Sequence, residues 1–95
     1  MLHLVFELSD NVVLKRLHHQ AGVIFLNSAV LKLLKKSRFQ SDLINLMNTT
    51  PCYVLNEDLT LRGIEVDFIL ENIEPIDYAK FVQLTIENTP IQTWT

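Results

Sequence analysis

The chain has 95 residues, a net charge of −3, 48% apolar residues, two glycines, three prolines and one cysteine. These values describe one small globular α/β domain spanning residues 1–95, and they exclude a disordered chain, a disulfide scaffold and a Cys/His zinc site. No apolar run reaches the roughly 18–20 residues of a membrane span, and MLHLVFELSD lacks the basic start of a secretory signal, so a cytoplasmic location is expected.

The charge is uneven: residues 1–48 carry six basic and three acidic side chains, residues 49–95 two basic and eight acidic. Such polarity suits oriented docking, although solvated helix faces give the same pattern. The apolar share is high for so short a chain. Surplus apolar surface of this kind is buried against other subunits, or by self-association when the chain is alone.

In chain order, LHLVF (2–6) predicts a first strand. Ser9 or Asp10 caps a helix over 12–19 carrying Val12, Val13 and Leu17, and Gly22 ends that unit. VIFL (23–26) has the continuous apolar pattern of a strand covered on both faces. Asn27 or Ser28 then caps a helix over 29–36, with Lys32, Lys35 and Lys36 on one flank and Leu31 and Leu34 on the other. Ser41 opens a helix over 42–48 with Leu43, Leu46 and Met47 on one stripe, and Pro51 follows it.

CYVL (52–55) predicts a third strand. Asn56 caps a short helical turn over 57–62 with Glu57 and Asp58 in its first turn and Gly63 as its stop. Residues 64–70 alternate weakly and read as strand or turn. EPI (74–76) predicts a short fourth strand, and Asp77 caps a helix over 78–87, where Tyr78, Phe81, Val82 and Thr85 fall at i, i+3, i+4 and i+7. NTPIQTWT (88–95) reads as a tail with an exposed Trp94. Strands alternating with helices imply a mainly parallel sheet of about four strands flanked by helices.

The chemistry-bearing residues are few. Cys52 starts an apolar run, the setting of a packing cysteine. Its nearest sequence charges, Glu57 and Asp58, are of the sign that raises a thiol pKa. Asn56, Glu57 and Asp58 follow the carboxyl end of a parallel strand, where open α/β sheets place functional groups, yet capping and macrodipole complementation account for all three. His18 and His19 are adjacent on a helix and cannot converge on one metal; a helix C-terminus suits them. His3 lies in a strand, in a setting suited to a buried, neutral, hydrogen-bonded ring. The stretch KLLKKSR (32–38) is the best basic patch, but Phe39 is its only aromatic neighbour. No Gly-rich phosphate loop and no nucleophile elbow is present.

Three anchors carry a resemblance: the opening MLH, the central YVLNEDLTLRG, and IDYAKFVQLT followed by a near-terminal tryptophan. Together they resemble the TusB/DsrH family of DsrE/F/H-like sulfur-relay proteins over essentially the whole chain. The resemblance implies a DsrE/F/H-like fold and a non-catalytic subunit of a TusBCD-like complex, a dimer of heterotrimers with TusC-like and TusD-like chains. Such a complex relays persulfide sulfur from TusA toward TusE for 2-thiolation of wobble uridine in tRNA. Its essential relay cysteine sits on the TusD-like subunit. Some DsrH relatives carry a cysteine on the first helix; here Val13 lies roughly at that place. No catalytic residue, metal or cofactor is therefore expected. Asn56, Glu57, Asp58, Tyr78, Phe81 and Trp94 are the candidates for shaping a loop or a subunit interface. Two alternatives stay open: a self-sufficient sulfur carrier using a Cys52 persulfide, and a tRNA-binding module using Lys32, Lys35, Lys36 and Arg38. Neither a membrane nor direct contact with nucleic acid is the leading expectation.

Overall fold

The computed structural model describes all residues, 1–95. Its centre is a five-stranded, wholly parallel sheet in the order β4-β3-β2-β1-β5, built from β1 (Leu2–Val5), β2 (Gly22–Phe25), β3 (Cys52–Leu55), β4 (Glu74–Ile76) and β5 (Ile91–Trp94). Four α-helices accompany it: α1 (Asn11–Lys15), α2 (Gln40–Met47), α3 (Asn56–Leu61) and α4 (Tyr78–Glu87). Parallel neighbours need crossover connections, and those crossovers divide unequally between the two faces of the sheet. Residues of α1, α2, α3 and the 3₁₀ segment Asn27–Leu33 join Val5, Val23, Phe25, Cys52 and Val54 in a core of 18 buried residues. On the other face α4 alone covers Leu2, Leu4, Ile24, Leu55 and Ile76, with Leu84 as its one buried side chain, in a core of seven.

The α/β class and four expected strands are present, and a fifth strand is added. Ile91–Trp94, read as a tail, pairs with β1 from Leu2↔Ile91 to Val5↔Trp94. Three helices differ from expectation. The first ends at Lys15, capped by Asp10, and His19 then adopts φ +61. The expected helix over 29–36 is a 3₁₀ segment that stops at Leu33. The Leu70 N–H donates to the Leu33 carbonyl and the Lys35 N–H to the Phe68 carbonyl, which draws the chain into an extended bridge, Leu34↔Ile69. Residues 64–70 are accordingly a short 3₁₀ turn, Val66–Phe68, running into that bridge. The third helix begins at Gln40 rather than after Ser41, with Phe39 at the cap position and no side-chain cap.

Each glycine meets a local requirement of the backbone. Gly22 does not end a helix; it opens β2, where an added Cβ would stand 3.2 Å from Tyr53 Cε2 and 3.3 Å from Leu2 Cδ1. Gly63, at φ +67, ends α3 in a Schellman motif: its N–H donates to the Thr60 carbonyl and the Ile64 N–H to the Leu59 carbonyl. Ile64 packs on the cluster that contains Leu59, the apolar contact that accompanies such motifs.

Candidate functional site

Cys52 is the first residue of β3 and points into the larger core, 4% exposed. Its Sγ–H donates to the Thr50 carbonyl at 3.5 Å. Burial pushes the thiol up from 9.0 to about 12. The acids Glu57 and Asp58 take no part in that shift, because α3 carries them past the far end of the strand. Tyr53, on the opposite face, is also raised, first by burial, then by the charge of Glu74 and by Cys52. Buried and raised in this way, the thiol lacks the exposure and the depressed pKa that a reactive cysteine needs.

The carboxyl ends of the strands hold the remaining candidates. β3 and β4 lie side by side, Leu55 opposite Ile76, so α3 and α4 start next to each other but leave on opposite faces. That is a topological switch point, the place where open α/β sheets hold their functional groups. Asn56, Glu57 and Asp58 stand on one side of it, Tyr78 and Phe81 on the other. The expected capping role of Asn56 is not found: Asn56 is the first residue of α3, exposed, with Leu55 at the cap position. Asp58 instead reaches across 31 residues, its Oδ2 accepting from the Asn27 N–H at 2.6 Å. Arg62 Nη2 completes the clasp by donating to Asn27 Oδ1 at 3.1 Å. Asn27 sits at φ +55, a left-handed conformation that asparagine tolerates better than most residues. The NEDLTLR stretch therefore fixes the β2 exit loop to α3. Replacing Asp58 by Ala is expected to cost about 1–2 kcal/mol, because the Asn27 amide loses its only side-chain acceptor. Chemical denaturation measures this, and an unchanged midpoint for Asp58→Ala would contradict it.

Trp94 is far from this edge, at the carboxyl end of the opposite edge strand. It is half-buried, not the exposed terminal residue expected, and packs on the larger core. Its Nε1–H donates to His3 Nδ1 at 3.0 Å, and His3 Nε2 lies 3.1 Å from Gln20 Oε1. The indole can only donate, so Nδ1 accepts and Nε2 carries the proton that reaches Gln20. His3 thereby fastens the terminal strand to β1. His3→Ala is expected to lower stability by about 2–4 kcal/mol, leaving a void and an orphaned indole N–H. A red shift of Trp94 emission well below the unfolding midpoint checks it.

His18 and His19 lie beyond the helix end, not on it. His18 Nδ1 is 2.8 Å from Thr49 Oγ1, and Thr50 Oγ1–H donates to the Leu17 carbonyl, so this histidine ties α1 to the α2–β3 loop. The basic stretch does not form one helical flank: Lys32 lies in the last turn of the 3₁₀ segment while Lys35 and Lys36 lie in the following turn. Arg38 is committed to the Ser9 carbonyl at 3.0 Å and to the Phe39 ring at 4.9 Å. No group of three or more His, Cys, Asp or Glu side chains is arranged to hold a metal ion, and no helix is long and apolar enough to cross a membrane.

Comparison with known proteins agrees with this architecture. The family described as "DsrH like protein" matches residues 6–91. The chain is 29% identical to Protein TusB of Buchnera aphidicola subsp. Baizongia pistaciae over 99% of this chain and all of that one. It is 28% identical to Protein TusB of Photorhabdus laumondii over 94% of this chain and 90% of the relative. A shorter match to Protein TusB of Shigella flexneri reaches 48% identity over 42 residues, 44% of this chain and 43% of the relative. In fold it is similar to MTH1491, a protein of unknown function from Methanobacterium thermoautotrophicum, with a TM-score of 0.75 and 13% identity over 97% and 95% of the two chains. With the sequence family covering nearly the whole chain, and a compact parallel sheet behind it, the chain belongs to the DsrH (TusB/DsrH) family.

Proposed function

We propose that the chain is a non-catalytic subunit of a TusBCD-like sulfur-relay complex, acting in the cytoplasm in the 2-thiolation of wobble uridine in tRNA. Family membership and the relatives named TusB support the sulfur-relay role. The observation that carries the non-catalytic part is the state of Cys52: buried, and raised to about 12. A persulfide carrier needs an accessible thiolate. The sulfur-bearing cysteine is then supplied by a TusD-like neighbour, with a TusC-like chain completing the heterotrimer and TusA and TusE acting before and after it. No cofactor is needed.

The chain contributes its surface to such a complex. Asn56, Glu57 and Tyr78, exposed at the β3–β4 switch point, are the proposed interface residues. Asp58 and Phe81 hold that edge in shape from beneath, and Trp94 braces the far edge. The experiment is co-expression with TusC-like and TusD-like chains followed by native mass measurement. A single species containing all three chains is expected; a chain that elutes alone under every condition tested contradicts the proposal.

A further inference from the structure

α4 carries apolar side chains on two stripes. Phe81 and Leu84 turn toward the sheet. Tyr78, Val82 and Ile86 recur at i, i+4 and i+8 on a second stripe, and Tyr78 and Ile86 are 63% and 71% exposed. A surface helix with a single core-facing stripe has polar residues there instead. Carboxylates stand at both ends, Asp77 before the helix and Glu87 at its last position, with Lys80 the one cation between them.

The complementary feature lies on the other side of the sheet. A cavity of about 450 Å³ is lined by Leu34, Lys35, Lys36, Gly63, Ile64 and Phe68. Its walls are apolar, with Phe68 61% exposed, and its only charges are the two exposed lysines. Lys35 also borders adjoining hollows that contain Asp67 and Glu71; Lys36 borders only this cavity.

We propose that the Tyr78–Val82–Ile86 stripe of one copy docks into the lysine-rimmed cavity of a second copy. The occupant follows from charge and shape: an apolar ridge flanked by carboxylates meets an apolar hollow flanked by ammonium groups. Leu34 and Ile64 pack on the larger core and α4 on the smaller one, so the two features face away from each other in one chain. The contact is therefore heterologous, and an open assembly keeps a free ridge at one end and a free cavity at the other. Association continues past the dimer and weakens with salt.

Sedimentation of the isolated chain at about 10–500 µM, in about 0.05 and 0.5 M salt, tests this. Mass rising beyond the dimer at low salt, and falling at high salt, is expected. Phe68→Glu and Ile86→Glu should each remain monomeric with unchanged far-UV circular dichroism, since both positions are exposed. Mixed in equal amounts, the two variants should form a dimer and nothing larger, because one retains the ridge and the other the cavity. Lys35→Glu with Lys36→Glu should weaken association about tenfold or more. A wild-type chain that stays monomeric, one that stops at a dimer unaffected by Phe68→Glu, or a mixture that fails to pair would overturn the proposal. Because only this chain is present, the outcome is independent of whether the mixed complex proposed above forms.

Discussion

At pH 8 the native chain should react with a small thiol-alkylating reagent about a thousandfold more slowly than the same chain in denaturant. Thiolate is the reacting species, and its fraction falls tenfold for each unit by which the pKa exceeds the pH. Raising Cys52 from 9.0 to about 12 alone supplies the factor of roughly 10³. Exclusion of the reagent by the surrounding core slows it further. Mass spectrometry of the quenched reaction checks this. Labelling at the rate of a free thiol would mean that β3 opens at its first residue, and would return Cys52 to the list of sulfur acceptors.

The same shift makes stability depend on alkali. Above pH 9.0 the unfolded chain releases the Cys52 proton while the folded chain keeps it until about pH 12. The unfolded state then binds fewer protons, so the slope of unfolding free energy against pH is negative. The contribution is fully present below pH 9.0 and is lost as the pH rises to about 12, at roughly 1.4 kcal/mol per unit and about 4 kcal/mol in total. Tyr53 acts in the same direction, its proton held by burial and by the Glu74 carboxylate. Urea midpoints measured from pH 7 to 11 should fall for the native sequence and fall less for Cys52→Ala. Equal slopes for the two would contradict the assignment to this thiol.

Three of the five strands are legible as short apolar runs, and β4 as the short EPI segment just ahead of the Asp77 cap. β5 is not, since Gln92 and Thr93 interrupt its pattern and only pairing with β1 makes IQTW a strand. The lysine-bearing segment reads as a helix locally, but the choice is made by hydrogen bonds to Phe68 and Leu70, more than thirty residues on. Propensity carries no trace of such partners. Asp58 shows the same limit. Its place in the first turn of a helix is sufficient to explain an acid there, yet its observed partner is Asn27, and only the fold brings them together. The sequence does not show the left-handed Asn27 and the trailing Arg62 as partners in that clasp; an asparagine closing an apolar strand is the one local signal for the first. The apolar run that Cys52 opens marks it as a packing residue, and it is buried; its raised pKa comes from desolvation and not from the acids that follow it in sequence.

On the proposed function, this chain serves sulfur relay through its surface and not through its own thiol. The direct measurement is 2-thiouridine formation by a complex reconstituted with TusC-like and TusD-like chains, in which this chain carries Cys52→Ala. Removing the buried sulfur costs about 1 kcal/mol of stability at most sites of this kind and leaves the fold standing. Unchanged thiolation together with unchanged native mass is the predicted result. Loss of thiolation from a complex that still assembles would contradict the account.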